Sequence, residues 1–166
     1  MQLVSVRFRA ISLDDAPLVH AIYRESPSYF AQIGMEIPTL EDVVREISAL
    51  AQDPRRRACL IQAQGGQPHS GYVQAVGYLD YKLHYPEEDA ATLSLLLIRE
   101  NLQGNGFGRA ALTHLEEVLA SSVRRLYAVV YGQNPQARRF FQTQGYRFIK
   151  DGGPPLAWYA KELRLL

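Results

Sequence analysis

Leu93-Ser94-Leu95-Leu96-Leu97-Ile98-Arg99-Glu100-Asn101-Leu102-Gln103-Gly104-Asn105-Gly106-Phe107-Gly108 runs from an apolar segment into a glycine-rich turn. Thr92 to Ile98 is apolar almost throughout, as a strand covered on both faces requires. After the turn, Phe107, Ala111, Leu115, Val118 and Leu119 recur at helical spacing, with Leu112 beside them. A buried strand, a turn with three glycines and a helix together suit anion binding. Glycines let the backbone approach a ligand, and the first amides of a helix have no internal partner. The helix dipole then favours a phosphate there. Two familiar phosphate loops do not fit. A Walker loop ends in Gly-Lys-Ser/Thr, whereas Gly108 is followed by Arg109 and Ala110. In a dinucleotide fingerprint the third glycine would stand one residue later, and a βαβ unit would precede it. The glycines could also serve only a tight turn.

Working outward, Val4, Val6 and Phe8 alternate with polar neighbours as a half-buried strand. Ser12 to Asp15 offers N-cap residues for a helix with a Leu18, Val19, Ile22 stripe, which Pro27 ends. Residues 27–37 show no period and predict a loop or irregular helix. Thr39 and Asp42 stand as in a capping box ahead of Leu40, Val43, Val44, Ile47 and Leu50. Strands are expected over 57–64 and from Tyr72 to Leu83, joined by the turn Gly65-Gly66-Gln67-Pro68. In the second, Leu79, Tyr81 and Leu83 face one side and Tyr78, Asp80 and Lys82 the other. Tyr85-Pro86-Glu87-Glu88-Asp89 is an acidic loop. Leu126 to Tyr131 forms another buried strand, Asn134-Pro135 opens a helix that Gly145 ends, and strands follow over 146–150 and 156–163. The order is strand, two helices, three strands, helix, strand, helix, two strands. It predicts an α+β or mixed α/β layer fold, mostly antiparallel, with one parallel crossover around the glycine loop.

Gln103-Gly104-Asn105-Gly106-Phe107-Gly108 resembles the Arg/Gln-x-x-Gly-x-Gly/Ala loop of the GCN5-related N-acetyltransferase (GNAT) family. Asn134-Pro135-Gln136-Ala137-Arg138-Arg139-Phe140-Phe141-Gln142-Thr143-Gln144-Gly145-Tyr146 is similar to that family's Asn-x-x-Ala-x-x-Phe-Tyr-x-x-x-Gly-Phe segment. The likeness covers residues 72–150 well and residues 1–64 in element order only. It implies a single GNAT-like domain over 1–166, with a central, mostly antiparallel twisted sheet and helices on both faces. It also implies acetyl-CoA as co-substrate. Amides of Gly104, Asn105, Gly106, Phe107 and Gly108, with Gln103 and Arg109, would hold the pyrophosphate. Arg109 or Arg99 would supply positive charge, since position 105 often carries Lys or Arg in the family and here carries Asn. The strands holding Leu93–Ile98 and Leu126–Tyr131 would splay around the pantetheine arm, which pairs with backbone at Leu96, Leu97 and Ile98. Asn134, Ala137, Phe140 and Phe141 would complete the cofactor site.

The implied reaction is direct attack of an amine on the thioester. A backbone N–H near Leu96 would serve as oxyanion donor. Family members often place a Glu base and a Tyr acid at positions occupied here by Thr92 and Phe141. Asp80 is therefore the expected base and Tyr131 the expected acid; a catalytically inactive acyl-CoA sensor is the alternative. The acceptor, a small molecule or a peptide, is expected to meet residues 22–40 and the loop after Leu83. Those segments hold Tyr23, Tyr29, Phe30, Met35, Tyr81 and Tyr85. Glu25, Glu36, Glu87, Glu88 and Asp89 favour a cationic small molecule.

Composition restricts the remaining classes. Net charge is +1, which lacks the basic field of a nucleic-acid binder. Arg55-Arg56-Arg57 reads as a solvated turn. No apolar run approaches the ~20 residues of a membrane span, so the cytoplasm is the expected compartment. Cys59, the only cysteine, lies in an apolar strand as a core thiol. His20, His69, His84 and His114 have no ligand spacing, so no metal is expected. Leu163-Arg164-Leu165-Leu166 ends the chain in an apolar edge that a second copy could cover as a homodimer.

Overall fold

The computed structural model describes residues 4–64, 74–153 and 156–163. The first half of the chain forms β1 (Val6–Ala10), α1 (Ala16–Arg24), α2 (Pro27–Gln32), α3 (Leu40–Leu50), β2 (Arg56–Ala63) and β3 (Ala75–Leu83). The second half forms β4 (Ala90–Ile98), α4 (Phe107–Leu119), β5 (Arg125–Tyr131), α5 (Pro135–Thr143), β6 (Arg147–Asp151) and β7 (Leu156–Glu162). The strands make one seven-stranded sheet in the order β1-β2-β3-β4-β5-β7-β6. The β4–β5 pair is parallel and its crossover contains α4; every other pair is antiparallel. The fold is thus mixed α+β, with the glycine loop beside the only parallel pair among the described residues. The turn at 65–68, His69, the start of the long strand at Tyr72 and the apolar end at 164–166 lie outside the described residues.

Helices cover both faces. On one face α4 and α5 pack Ala111, Leu112, Leu115, Leu119 and Phe141 against Leu79, Leu93, Leu126 and Ala128. On the other, α1 and α3 pack Val19, Ile22, Val43 and Ile47 against Leu60 and Tyr78. Each such large apolar side chain, taken fully out of water, contributes about 1.5–3 kcal/mol. The β3 alternation holds: Leu79, Tyr81 and Leu83 join the α4 side and Tyr78 the α1 side. Cys59 is a core thiol, and burial pushes it up to about 11.

Several local expectations change. Residues 27–32 are a helix, and Pro27 opens it rather than closing α1, because proline fits the first helical turn, where no amide donor is needed. The chain therefore has three helices after β1, not two. Ser12 and Asp15 cap a 3₁₀ turn at Leu13–Asp15, and Ala16 starts α1 with Pro17 in its first turn. The Thr39 box forms as expected: Asp42 N–H donates to Thr39 Oγ1 at 3.1 Å, and Thr39 N–H to Asp42 Oδ2 at 3.0 Å. Leu40, Val44 and Val118 are exposed, so the apolar stripes of α3 and α4 are narrower than their spacing suggested. Arg56 belongs to β2 and not to a solvated turn.

Strand β4 carries one extra residue. Asp80 pairs with Leu95 and Tyr81 with Leu93, which leaves Ser94 as a bulge. The bulge changes the phase of the strand: Leu93, Leu96 and Ile98 face α4, while Leu95 and Leu97 face α1 and α3.

Candidate active site

The bulge marks the place where two central strands part. Parallel pairing runs from Ala90 with Arg125 to Leu93 with Ala128 and then ends. Beyond it β4 stays on β3 as far as Ile98, and β5 stays on β7 as far as Tyr131. Neither strand edge facing the gap has a partner strand. The splay holds a slot of about 40 Å³ between Leu93–Leu96 and Val129–Tyr131. Adjoining it is a cavity of about 440 Å³, within the range of small-molecule sites.

The larger cavity collects the glycine loop and the start of α5. Leu96, Leu97, Ile98, Gln103, Gly104, Gly106, Phe107, Gly108 and Arg109 line one part of it. Asn134, Ala137, Phe140 and Phe141 line another. The Leu97 side chain is buried among the α1 and α3 residues, so its backbone is what meets the opening. Gly104 and Gly106 have φ of +80° and +89°, the left-handed region that side chains resist. That turn aims α4 at the cavity. The first helical bond is donated by Ala110 N–H to Gly106 O at 3.0 Å, which leaves the amides of Phe107, Gly108 and Arg109 free at the helix start.

Three residues of the expected cofactor loop are placed differently from the rest. Asn105 is absent from the cavity lining; its Nδ2 donates to Leu102 O at 3.0 Å and holds the preceding turn. Gln103 lines the cavity but donates Nε2 to Ile98 O at 3.0 Å, tying the loop to β4. Arg99 donates Nε to Ala75 O at 2.8 Å and pairs with Glu25, so it clamps β3 and α1 and leaves Arg109 as the cation at the cavity.

Asn134 caps α5, its Oδ1 accepting from Ala137 N–H at 3.1 Å. The side chain is 6% exposed, and its Nδ2 has no partner among the described residues. Asn134→Ala is expected to destabilise the fold by about 1 kcal/mol through the lost cap. A lower urea midpoint with an unchanged slope would register it.

Of the two expected catalytic groups, Tyr131 lines the slot and Asp80 lines neither opening. Asp80 stands across from Leu95 on β3, beside the bulge, 6% exposed, with Oδ2 accepting from Arg56 Nη2 at 2.7 Å. Burial pushes its carboxyl up, and the Arg56 guanidinium opposes that. Burial also pushes the Tyr131 phenol up, and the Asp80 charge adds to it. Thr92 donates its hydroxyl to Tyr85 O at 2.7 Å, and Phe141 is 7% exposed. Among the described residues no three His, Cys, Asp or Glu side chains gather as metal ligands, and no helix is long and apolar enough to cross a membrane.

Of the segment expected to meet the acceptor, Tyr29 lines both the cavity and the slot; Ser28 and Gln32 of α2, which sequence reasoning missed, line the cavity with it. Burial pushes the Tyr29 phenol up to about 12. The aperiodic segment offered no signal beyond its tyrosine. The acids expected near an acceptor are largely engaged elsewhere. Glu25 pairs with Arg99, Glu87 accepts from Tyr127 at 2.9 Å, and Asp89 pairs with Arg124 at 3.4 Å. Glu87 to Asp89 also precede Ala90, at the end of β4 away from the glycine loop.

The sequence matches the model of the Acetyltransferase (GNAT) family over residues 19–146. No curated protein matches it. It is 55% identical to an acetyltransferase from Thermus thermophilus, covering 98% of this chain and all of that one, with a TM-score of 0.87. Two more distant structures share the fold. A spermidine N-acetyltransferase from Vibrio cholerae in complex with CoA and spermine is 12% identical, with 96% of each chain covered and a TM-score of 0.75. An aminoglycoside acetyltransferase in complex with coenzyme A is 17% identical, with 95% of each chain covered and a TM-score of 0.76. The family match over most of the chain and the glycine loop at a parted parallel pair agree: the chain belongs to the GNAT family of acetyltransferases.

Proposed function

We propose that this chain acts as a single-domain N-acetyltransferase that moves the acetyl group of acetyl-CoA to a primary amine by direct attack. The observation that carries the reading is the divergence of β4 and β5 after Leu93 and Ala128, which opens a cavity between free strand edges and free helix amides. The pyrophosphate would meet the amides of Phe107, Gly108 and Arg109, with the Arg109 side chain adding charge. The pantetheine arm would lie along the unpaired edge of β4, and Asn134 Nδ2 would donate to it. Coenzyme A is what the two distant fold neighbours carry.

In the reaction the amine nitrogen attacks the acetyl carbonyl, the C–S bond breaks, and the electron pair leaves on sulfur. Asp80, which lines neither opening, would take the amine proton through water. Tyr131, kept protonated by burial, would give its proton to the thiolate. A donor N–H at Leu96 would stabilise the developing oxyanion. No covalent enzyme intermediate is needed, in keeping with Cys59, whose thiol is held protonated in the core.

One observation favours a second reading, an acyl-CoA sensor without turnover. Thr92 is hydrogen-bonded to a carbonyl and Phe141 has no proton to give. Incubating the protein with acetyl-CoA and a panel of amines, and detecting free thiol, separates the two. Amine-dependent thiol release is expected. Tight acetyl-CoA binding without release would favour the sensor.

A further inference from the structure

Arg56 is not where an exposed Arg55-Arg56-Arg57 turn would leave it. It opens β2 across from Lys82 and reaches diagonally to Asp80 at 2.7 Å, with only 30% of its side chain exposed. Groups from every neighbouring element face the pair. Glu46 of α3 is half-buried, and Tyr23 of α1 donates its hydroxyl toward both Glu46 oxygens at 3.2 Å. Tyr78, on the same face of β3 as Asp80, is fully buried, and its hydroxyl has no hydrogen-bond partner. Cys59 of β2 and Tyr131 at the tip of β5 lie within the field of Asp80. Asp80 Oδ1 has no partner among the described residues, while Oδ2 is held.

We propose that Arg56 is a positioning residue for acetyl transfer: it holds Oδ2 of Asp80 with a guanidinium N–H and leaves Oδ1 to take the acceptor's proton. The inference rests on the assignment of Asp80 as base.

A carboxylate this buried reverts to the neutral acid unless a cation stands beside it. Arg56 is that cation, and its single Nη2–H bond to Oδ2 fixes that oxygen. Glu46 keeps the guanidinium from being the dominant charge. Burial pushes the Glu46 and Asp80 carboxyls up, and the one guanidinium opposes both shifts. The proton passes from the amine nitrogen to Asp80 Oδ1 as the nitrogen–carbon bond forms and the C–S bond breaks. The unpartnered Tyr78 hydroxyl offers that proton, or a water carrying it, an acceptor on the same face.

The test compares kcat/KM at pH 6 and pH 9 for the parent, Arg56→Gln, Arg56→Lys and Asp80→Asn, with an amine the parent acetylates. Without Arg56 the Asp80 carboxyl rises further, so a larger share of the base is protonated at pH 6 than in the parent, and the difference narrows toward pH 9. Arg56→Gln is expected to lose about tenfold more activity at pH 6 than at pH 9, one pK unit's worth. Arg56→Lys should recover most of the loss, and Asp80→Asn should flatten the acidic limb. A loss in Arg56→Gln that is equal at both pH values would overturn the proposal and leave Arg56 a structural ion pair. If Asp80→Asn keeps the parent's pH profile, Asp80 is not the base, and the inference falls with that assignment. Absence of turnover with every amine would remove the enzymatic reading itself.

Discussion

Gly108→Asp is expected to lower acetyl-CoA affinity at least about 100-fold without weakening the fold. A Cβ at Gly108 would meet Phe140 Cε1 at 3.6 Å and Ile98 Cγ1 at 3.9 Å, both ordinary contacts with cavity-lining residues. The side chain would therefore enter the cavity without strain. An acid in the first turn of a helix is favourable by about 0.3–1 kcal/mol, so α4 should form at least as well. The same charge stands where the pyrophosphate would bind. There it repels the ligand and competes for the amides of Phe107, Gly108 and Arg109. Losing charge-assisted hydrogen bonds at about 1.5–3 kcal/mol each suffices for two powers of ten. Gly106→Ala is the companion variant. It puts a side chain at φ +89°, which costs roughly 1–2 kcal/mol of stability, yet removes no amide and adds no charge. Calorimetric titration of the three proteins with acetyl-CoA, beside their melting temperatures, separates the effects. Unchanged affinity in Gly108→Asp would place the cofactor away from the loop and sink the functional reading.

How far this site could be foreseen depends on whether its residues announce themselves locally. Gly104 and Gly106 do, because the left-handed backbone ahead of a helix start favours glycine. Asn134 does, because Asn-Pro ahead of Ala137 is a cap pattern. The apolar run Leu93–Ile98 declared a central strand. It did not declare the bulge at Ser94, since a run apolar on both faces has no alternation for a bulge to break. Tyr29 stood out as an aromatic in its segment, but Ser28 and Gln32 beside it were hidden for another reason: α2 has only six residues, too few for a helical period to emerge. Arg56 and Asp80 lie 24 residues apart and meet only through the β2–β3 register, which no spacing reveals. The sequence therefore identifies ligand-facing backbone well and electrostatic partners across strands poorly.

Gly77→Ala is expected to destabilise the fold by about 3–5 kcal/mol. Gly77 pairs with Ile98 at the end of the β3–β4 ladder. A Cβ there would lie 2.2 Å from Leu97 O, 2.9 Å from Ile98 Cδ1 and 3.2 Å from Ile98 Cα. The Ile98 side chain can rotate away, but the Leu97 carbonyl and the Ile98 backbone cannot move without pulling β4 off β3. For a domain of this size that corresponds to a fall in Tm of roughly 6–20 °C. Gly34→Ala is the contrasting control: its φ is +70°, and a Cβ meets nothing within 4 Å. It should cost only the backbone strain of about 1–2 kcal/mol. The functional consequence follows from where the strain falls. Leu97 and Ile98 form the cavity wall next to the loop. A β4 displaced there changes the width of the splay that the pantetheine arm would enter. Protein that still folds below its lowered Tm should therefore bind acetyl-CoA more weakly. A Gly77→Ala protein with parental Tm and affinity would mean that the β3–β4 approach has slack and that the splay is not set by this contact.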